Sequence, residues 1–195
     1  MHLFSSKRLR ALCLTASFYT LGSADRSIAS GGSSHGEEAP PPVPAGPKRE
    51  YNPGPVEKFP EKLSGLSLKT GKPYTYNVKR GRAAMVFFVA SWCEPCQQLM
   101  PNMKSVAQKF ERTYVDVIYV FAHDTRDDAA GFAKEHKLSG DLILATPDIL
   151  RNFKNPPLPS VYIGDRYNYF GYRVIKLTSK DFPILSDYLE KLTAL

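Results

Sequence analysis

Residues 84–96 of this chain are Ala84-Met85-Val86-Phe87-Phe88-Val89-Ala90-Ser91-Trp92-Cys93-Glu94-Pro95-Cys96, in which an apolar run leads directly into a Cys-x-x-Cys pair. The apolar run 84–89 has the length and composition of a buried strand. After the pair, apolar residues recur at helical spacing at Leu99, Met103, Val106, Ala107 and Phe110. A cysteine at the start of a helix meets free backbone amides and the positive end of the helix dipole, and both stabilise its thiolate. The second cysteine lies one turn further on and can close a small disulfide.

Cysteine count and charge narrow the classes of function. The chain has 195 residues and three cysteines, and Cys13 lies in an N-terminal apolar segment. The other two form the pair, which argues against a disulfide scaffold and indicates a redox or metal-binding role. The net charge is +7, but Lys7, Arg8 and Arg10 contribute to it before the globular part begins. The remaining basic residues are scattered among acidic ones and form no basic stripe with aromatic residues, so nucleic-acid binding is not expected.

Residues 1–24 have the three parts of a secretory signal peptide: a basic start, the mostly apolar run Ala11–Leu21 and the small residues Gly22-Ser23-Ala24. The apolar run is shorter than the roughly 20 residues that span a bilayer. A cleaved signal, an uncleaved N-terminal anchor and a disordered amphiphilic tail all stay open. We expect export to the periplasm or another extracytoplasmic space, with the protein either soluble after cleavage or tethered to the membrane only by its N-terminus.

Residues 25–56 are rich in Pro, Gly and Ser and show no hydrophobic periodicity. Such a segment cannot bury enough apolar surface to offset the entropy lost on ordering. We interpret it as a disordered linker that is partly polyproline in character.

From residue 57 onward the pattern alternates between strands and helices. A β-hairpin is predicted from Leu66-Ser67-Leu68 and Tyr74–Val78, and the helix after the cysteines should kink at Pro101. The predicted elements that follow the apolar run are a helix at Glu94–Glu111, a strand at Val115–Phe121, a helix at Asp127–His136, a strand or turn at Leu142–Leu144, a short helix at Pro147–Phe153, a hairpin of Ser160–Ile163 with Tyr169–Lys176, and a helix at Asp181–Leu195. This order predicts one α/β domain over residues 57–195, with a central mixed β-sheet flanked by helices.

These residues resemble the thioredoxin superfamily and, within it, the TlpA/ResA/CcmG branch of extracytoplasmic thiol-disulfide oxidoreductases. The resemblance covers residues 57–195 and is carried by Val89–Cys96, by Pro101 and by Pro157-Leu158-Pro159-Ser160. It implies a thioredoxin-like fold with an N-terminal β-hairpin extension, and an enzyme that needs no cofactor. We therefore expect an exported protein thiol-disulfide oxidoreductase that reduces disulfides of partner proteins through a dithiol-disulfide cycle.

The resemblance implies a role for each residue of the motif. Cys93 is the expected nucleophile, at the helix N-cap where it can be exposed, and the more interior Cys96 is expected to resolve the mixed disulfide. A cis peptide bond is implied between Leu158 and Pro159, packed against the cysteine pair, where Leu158 would present its backbone to a substrate chain. An ordinary strand-initiating proline is the alternative. Trp92 is expected beside the active site as a docking surface, and plain core packing is compatible with it.

The group that handles the proton is expected to differ from that of thioredoxin. Thioredoxin has a buried aspartate six residues before its first cysteine, and this chain has Phe87 at that position. The ResA-like branch places a carboxylate in the loop after the next strand, where this chain has Asp124. Asp124 would accept the proton of Cys96. Helix capping and simple solvent exposure are alternatives for Asp124, and His123 is a second candidate for the same task.

The acidic residue inside the pair indicates the direction of the reaction. The charge of Glu94 beside Cys93 opposes thiolate formation, and a higher thiol pKa is typical of a reductant more than of a strong oxidant. The alternative is that Glu94 points into water and has little effect.

The expected partners are disulfide-bearing client proteins and a membrane thiol electron donor, because the compartment is otherwise oxidising. The family also suggests cytochrome c maturation, with apocytochrome c as one class of client. Two other functions stay open on related folds. A Sco-like copper metallochaperone would need a three-residue gap between its cysteines and a distant histidine, whereas the gap here is two; we expect no metal site. A thiol peroxidase would need Thr and Arg side chains around its cysteine.

Overall fold

The computed structural model describes residues 57–194, so the predicted signal segment 1–24 and linker 25–56 lie outside the described residues. The strands of the described part are β1 (Lys62–Ser67), β2 (Pro73–Asn77), β3 (Ala83–Val89), β4 (Val115–Phe121), β5 (Asp141–Leu144), β6 (Ser160–Gly164) and β7 (Phe170–Ile175). The helices are α1 (Glu94–Phe110), α2 (Arg126–Glu135), α3 (Pro147–Asn152) and α4 (Asp181–Thr193). From residues 57 to 194, the helices lack either the length or the apolar character that a bilayer crossing requires.

All seven strands form one mixed sheet in the order β2-β1-β5-β4-β3-β6-β7. The three strands β3, β4 and β5 run parallel to one another, and the remaining pairs are antiparallel. The N-terminal hairpin joins this sheet because β1 pairs with β5. The predicted α/β domain with a central mixed sheet and an N-terminal hairpin extension is confirmed.

Strand β3 is buried along its whole length because each face of the sheet carries an apolar layer. Met85, Phe87 and Val89 face the layer that includes α1, α2 and α4, whereas Val86 and Phe88 face the layer that includes α3 and the hairpin. A strand covered on both faces has a continuous apolar sequence instead of an alternating one. This explains why residues 84–89 show no polar position.

The predicted bounds of the first hairpin strand were wrong. The strand begins at Lys62, before the predicted Leu66–Leu68. Its first residues were missed because polar Ser64 and small Gly65 interrupt the alternation of apolar and polar residues. Gly65 is needed there, since a Cβ atom at this position would overlap the backbone carbonyl of Leu144 in β5. The other elements agree with the predicted bounds to within two residues, and α1 continues through Pro101 as one helix.

A largely buried carboxylate at the amino end of β4, that of Asp116, ties the hairpin to the central strands. Asp116 accepts hydrogen bonds from the Tyr76 hydroxyl and from Nε of Arg82, both at 2.8 Å, and Lys79 Nζ lies 3.3 Å from it. Burial alone would raise the pKa of the Asp116 carboxyl. The hydrogen bonds from Arg82, Tyr76 and Lys79 outweigh burial and hold that pKa below its ordinary value. The cluster therefore stabilises the fold most when the carboxylate is charged.

Asp116→Asn should lower the free energy of unfolding by about 1–3 kcal/mol at neutral pH, because a buried charge-assisted network is lost. Since the folded-state pKa lies below the unfolded value of about 3.9, this contribution is complete above that value and is lost as the pH falls through the folded-state pKa. Chemical denaturation of wild type and variant between neutral pH and about pH 2 should show the difference shrinking on acidification.

The matched control is Asp187→Asn, which removes only the exposed ion pair with Lys191. Its effect should stay within about 0.5 kcal/mol. Equal stability of wild type and Asp116→Asn at neutral pH would contradict the assigned role of the cluster.

Candidate active site

The Cys-x-x-Cys pair lies at the junction of β3 and α1. Cys93 is the N-cap of α1, with extended backbone, and Cys96 lies in the first turn. Their Cα atoms are 5.2 Å apart and their sulfurs are joined in a disulfide. The amide N–H of Cys96 donates to Cys93 Sγ at 3.3 Å. The sulfur of Cys93 therefore faces free amides of the first turn, which stabilise a thiolate when the disulfide is reduced.

The two cysteines differ in burial. The exposed fraction of Cys93 is 5%, and Cys96 is fully buried. The predicted order, with Cys96 the more interior residue, is confirmed. Cys93 is largely covered in the disulfide form because its side chain is bonded to Cys96 within the apolar layer. In the disulfide form, the small accessible surface of the pair belongs to Cys93.

Three loops meet the cysteines at the same end of the sheet. In the strand register, Val89 pairs with Phe121 of β4, and Phe88 pairs with Ser160 of β6. The residues that follow β3 and β4 and those that precede β6 therefore gather at one edge. This register brings the loop of Asp124 and the turn at Pro159 to the cysteine end.

The peptide bond between Leu158 and Pro159 is cis, as the resemblance implies. Pro159 is buried, and its carbonyl accepts a hydrogen bond from Leu177 N at 2.8 Å. Leu158 is half-buried and packs against the apolar layer that contains both cysteines. The predicted placement beside the pair is supported, and the part that Leu158 and Pro159 play in docking stays a prediction.

Trp92 lies on the surface, with 61% of it exposed, so the core-packing alternative is wrong for this residue. Its indole Nε1 donates to the backbone carbonyl of His123 at 3.1 Å. His123 has a left-handed backbone with φ of 58° and an exposed side chain. Trp92 therefore presents an apolar face beside the cysteines while its polar edge is held by the neighbouring loop.

Asp124 is held by Ser91, two residues before Cys93. One carboxylate oxygen accepts from Ser91 N at 2.8 Å and the other from Ser91 Oγ at 2.5 Å. The helix-capping alternative is wrong, because Thr125 caps α2 by accepting from Asp128 N. Simple exposure is also wrong, because Asp124 is half-buried. Its service as a proton acceptor stays a prediction.

Phe87 occupies the position of the buried aspartate of thioredoxin. It is fully buried and stacks on Tyr119, with the ring centroids 5.3 Å apart. Burial raises the pKa of the Tyr119 hydroxyl, and the charge of Glu111 adds to the shift. The environment at Phe87 is therefore apolar and unsuited to a carboxylate.

Sequence reasoning missed Ser91 and Gln97. The side-chain amide of Gln97 donates to the backbone carbonyl of Ser91 at 2.7 Å. Both residues flank the pair and are polar, but serine and glutamine at helix starts are common, and nothing in their spacing marks them. The contact of Ser91 with Asp124 depends on the loop that follows β4, which lies about thirty residues away in sequence.

A cavity of about 480 Å³ lies at the other end of the sheet, between the turn that leads into β3 and the turn after β6. Its lining includes Lys58, Arg80 and Arg166. The chemistry of the cysteines thus takes place at a surface, away from this cavity. Within residues 57–194, no group of three or more His, Cys, Asp or Glu side chains is arranged to hold a metal ion.

Comparison with protein families and relatives agrees with this geometry. The model of the AhpC/TSA family matches residues 58–167, which is more than half of the chain. A relative named thiol-disulfide oxidoreductase ResA, from Bacillus cereus, is 25% identical over 124 residues. That match covers 63% of this chain and 70% of the relative.

Solved structures show the same fold. A thiol:disulfide interchange protein of the thioredoxin family from Chlorobium tepidum has a TM-score of 0.62 at 18% identity, covering 72% of this chain and 98% of that one. A secreted disulfide oxidoreductase from Mycobacterium tuberculosis, described as homologous to E. coli DsbE, has a TM-score of 0.58 at 19% identity, covering 67% and 96%. These neighbours establish the thioredoxin-like fold.

Phe87→Asp, which restores the residue type of thioredoxin, should lower the free energy of unfolding by about 3–5 kcal/mol, because it buries an unpaired carboxylate and removes a core ring. Phe87→Leu is the matched control and should cost less than about 2 kcal/mol, since it keeps the site apolar. Urea denaturation of both variants measures the difference. A Phe87→Asp variant as stable as Phe87→Leu would contradict the apolar character assigned to this position.

Proposed function

This chain belongs to the AhpC/TSA family and is a thiol-disulfide oxidoreductase, and we propose that it is exported and reduces disulfides of partner proteins. The observation that carries the proposal is the disulfide between Cys93 and Cys96 at the first turn of α1, with the exposed ring of Trp92 beside it. A redox pair that opens onto a surface is suited to a macromolecular disulfide. A small substrate would instead require an enclosing pocket.

The reaction runs in two thiol-disulfide exchanges. The Cys93 thiolate attacks one sulfur of the client disulfide, so that the client S–S bond breaks and a Cys93–client mixed disulfide forms. The first client sulfur leaves as a thiolate. Cys96 then loses its proton and attacks Cys93 Sγ, which releases the second client sulfur and leaves the Cys93–Cys96 disulfide. In sum, two electrons and two protons pass from the enzyme dithiol to the client.

The different burial and contacts of the two cysteines support different roles for them. Cys93 is the more accessible cysteine and its sulfur accepts the N–H of Cys96, so it suits the attacking role. Cys96 is fully buried, so a client reaches it only through Cys93. This arrangement supports Cys93 as nucleophile and Cys96 as resolving cysteine.

Three residues beside the pair supply the proposed docking surface for the client. Trp92 offers an exposed aromatic face. Pro159 has no N–H, and its carbonyl accepts from Leu177, so an incoming chain would pair with the backbone of Leu158 instead. Clients of this kind would be recognised mainly through backbone and apolar contacts, which suits an enzyme with several partners.

Reduction is the proposed direction because of Glu94. This residue is exposed at the first position of α1, and its carboxylate accepts from the Gln98 side chain at 3.2 Å. A negative charge beside Cys93 opposes the thiolate and so favours the disulfide form of the enzyme, which is the property of a reductant. Electrons would then come from a membrane thiol donor, and apocytochrome c would be one class of client.

Export is proposed from the sequence of residues 1–24, with residues 25–56 as a linker and residues 57–195 as the catalytic domain. The M. tuberculosis structural neighbour is described as secreted, which supports the same location. The copper and peroxidase alternatives gain no support at the site. Within residues 57–194, the polar contacts of Cys93 Sγ are with Cys96, and neither Thr nor Arg is among them.

Mixed-disulfide trapping tests this function. All variants carry Cys13→Ser, so that only the two motif cysteines remain. In its native host, the Cys96→Ser variant should accumulate discrete adducts on Cys93 that dithiothreitol releases, because the resolving step is blocked. The Cys93→Ser variant is the matched control and should trap none. Purified wild type should accelerate the reduction of insulin disulfides, and both variants should lose that activity.

An absence of adducts on Cys96→Ser, together with no insulin reduction by wild type, would contradict the proposal. Rapid turnover of hydrogen peroxide by Cys93 would then favour the peroxidase. Stoichiometric copper retained through purification would favour the metallochaperone.

A further inference from the structure

The turn before Cys93 is fastened to the loop after β4 at two adjacent positions. Ser91 is bound to the carboxylate of Asp124 through both its amide N–H and its hydroxyl. The next residue, Trp92, donates its indole N–H to the carbonyl of His123. The two loops are about thirty residues apart in sequence, yet three hydrogen bonds join them side by side.

Ser91 is the centre of this arrangement, because all of its polar groups are engaged. Its N–H and hydroxyl donate to Asp124, and its carbonyl accepts from Gln97 in the first turns of α1. Both distances to Asp124, 2.8 Å and 2.5 Å, fall in the range of charge-assisted hydrogen bonds. A small polar side chain thus joins the β4–α2 loop, the Trp92 turn and α1.

The use of Asp124 in this arrangement bears on its predicted role. Each of its two oxygens already accepts a hydrogen bond from Ser91. Among the described residues 57–194, the hydrogen bonds of this carboxylate are with Ser91, and none joins it to Cys96. The contacts favour a role in holding the turn.

The backbone of the β4–α2 loop is also shaped for the contact with Trp92. His123 adopts a left-handed conformation, with φ of 58°, which is uncommon for a residue other than glycine. In this conformation its carbonyl receives the indole N–H, and its neighbour Asp124 reaches Ser91. The ring of Trp92 is therefore held by its polar edge while most of its surface stays exposed.

We infer that Asp124 is a positioning residue that acts through Ser91, holding the Ser91–Trp92 turn so that Trp92 stays presented beside Cys93 for docking of a client chain. The name brace is used below for Ser91, Trp92, Gln97, His123 and Asp124. The docking part of this inference rests on the proposed function, whereas the holding of the turn does not.

Three variants distinguish a positioning role of Asp124 from a role as proton acceptor. Ser91→Ala removes one bond to Asp124 and leaves the carboxylate in place. Asp124→Ala removes both bonds and the charge. Asp124→Asn removes the charge but keeps both contacts, because its amide oxygen accepts from Ser91 N and its NH₂ group donates to Ser91 Oγ. Asp127→Ala is the matched control, since it removes an exposed acidic side chain from the first turn of α2.

The first readout is kinetic. If the brace acts as inferred, Ser91→Ala and Asp124→Ala should each raise the KM for insulin about tenfold, the effect of losing a hydrogen bond to a charged group. The kcat should change much less, and the reaction with a small aromatic disulfide, which needs no docking surface, should keep its rate. Asp124→Asn should have a KM close to that of wild type, and the pH profile of its resolving step should match that of wild type.

The second readout needs no activity. Trp92 is the only tryptophan of the chain, so its fluorescence anisotropy and its quenching by acrylamide report on this turn alone. In the disulfide form, Ser91→Ala and Asp124→Ala should lower the anisotropy and increase quenching, while Asp124→Asn and Asp127→Ala should stay close to wild type. Circular dichroism confirms that each variant is folded.

Two results would overturn the inference. One is a Ser91→Ala variant that behaves as wild type while Asp124→Asn is as impaired as Asp124→Ala, which would assign Asp124 to proton transfer. The other is unchanged Trp92 fluorescence in Asp124→Ala. Failure of the proposed function and failure of the inference can be distinguished. If wild type does not reduce insulin, but Ser91→Ala and Asp124→Ala show the expected changes in Trp92 fluorescence, the proposed function is contradicted and the holding of the turn is supported.

Discussion

The structure depends on a helix that begins at a cysteine directly after a strand that is buried on both faces. Strand β3 packs against apolar layers above and below, so its carboxyl end is fixed in space. The chain then turns within four residues and reaches Cys93, the N-cap of α1. The free amides of the first helical turn are therefore held at one point, and they favour negative charge on the sulfur that caps them. The fold therefore favours the thiolate of Cys93 by fixing where this helix starts.

Much of the fold follows from local patterns in the chain. The continuous apolar run of β3, the helical spacing after the cysteines and the paired prolines around Leu158 each have a direct physical interpretation, and the elements they predict agree with the structure. The bounds of the first hairpin strand were harder to predict. Gly65 allows the close approach of β5, and this requirement is not visible in the periodicity of the strand's own sequence.

The site was less predictable than the fold. The cysteine pair could be located from its spacing, and the resemblance to thioredoxin identified Phe87 at the position of the buried aspartate. The exposure of Cys93 could not be predicted, because it depends on how the N-cap side chain turns over the helix. The contacts of Asp124 with Ser91 join segments about thirty residues apart, so only the pairing of β3 with β4 brings them together. A residue type in a loop predicts what chemistry is available, and the register of the sheet decides which partner it meets.

The most direct test of the account is the reduction potential of the Cys93–Cys96 pair, measured by equilibration in thiol buffers with Trp92 fluorescence as the signal. With Glu94 beside the nucleophile, the account predicts a reducing pair, with a potential below about −200 mV and closer to that of thioredoxin, about −270 mV. A potential near that of the strong oxidant DsbA, about −120 mV, would contradict it.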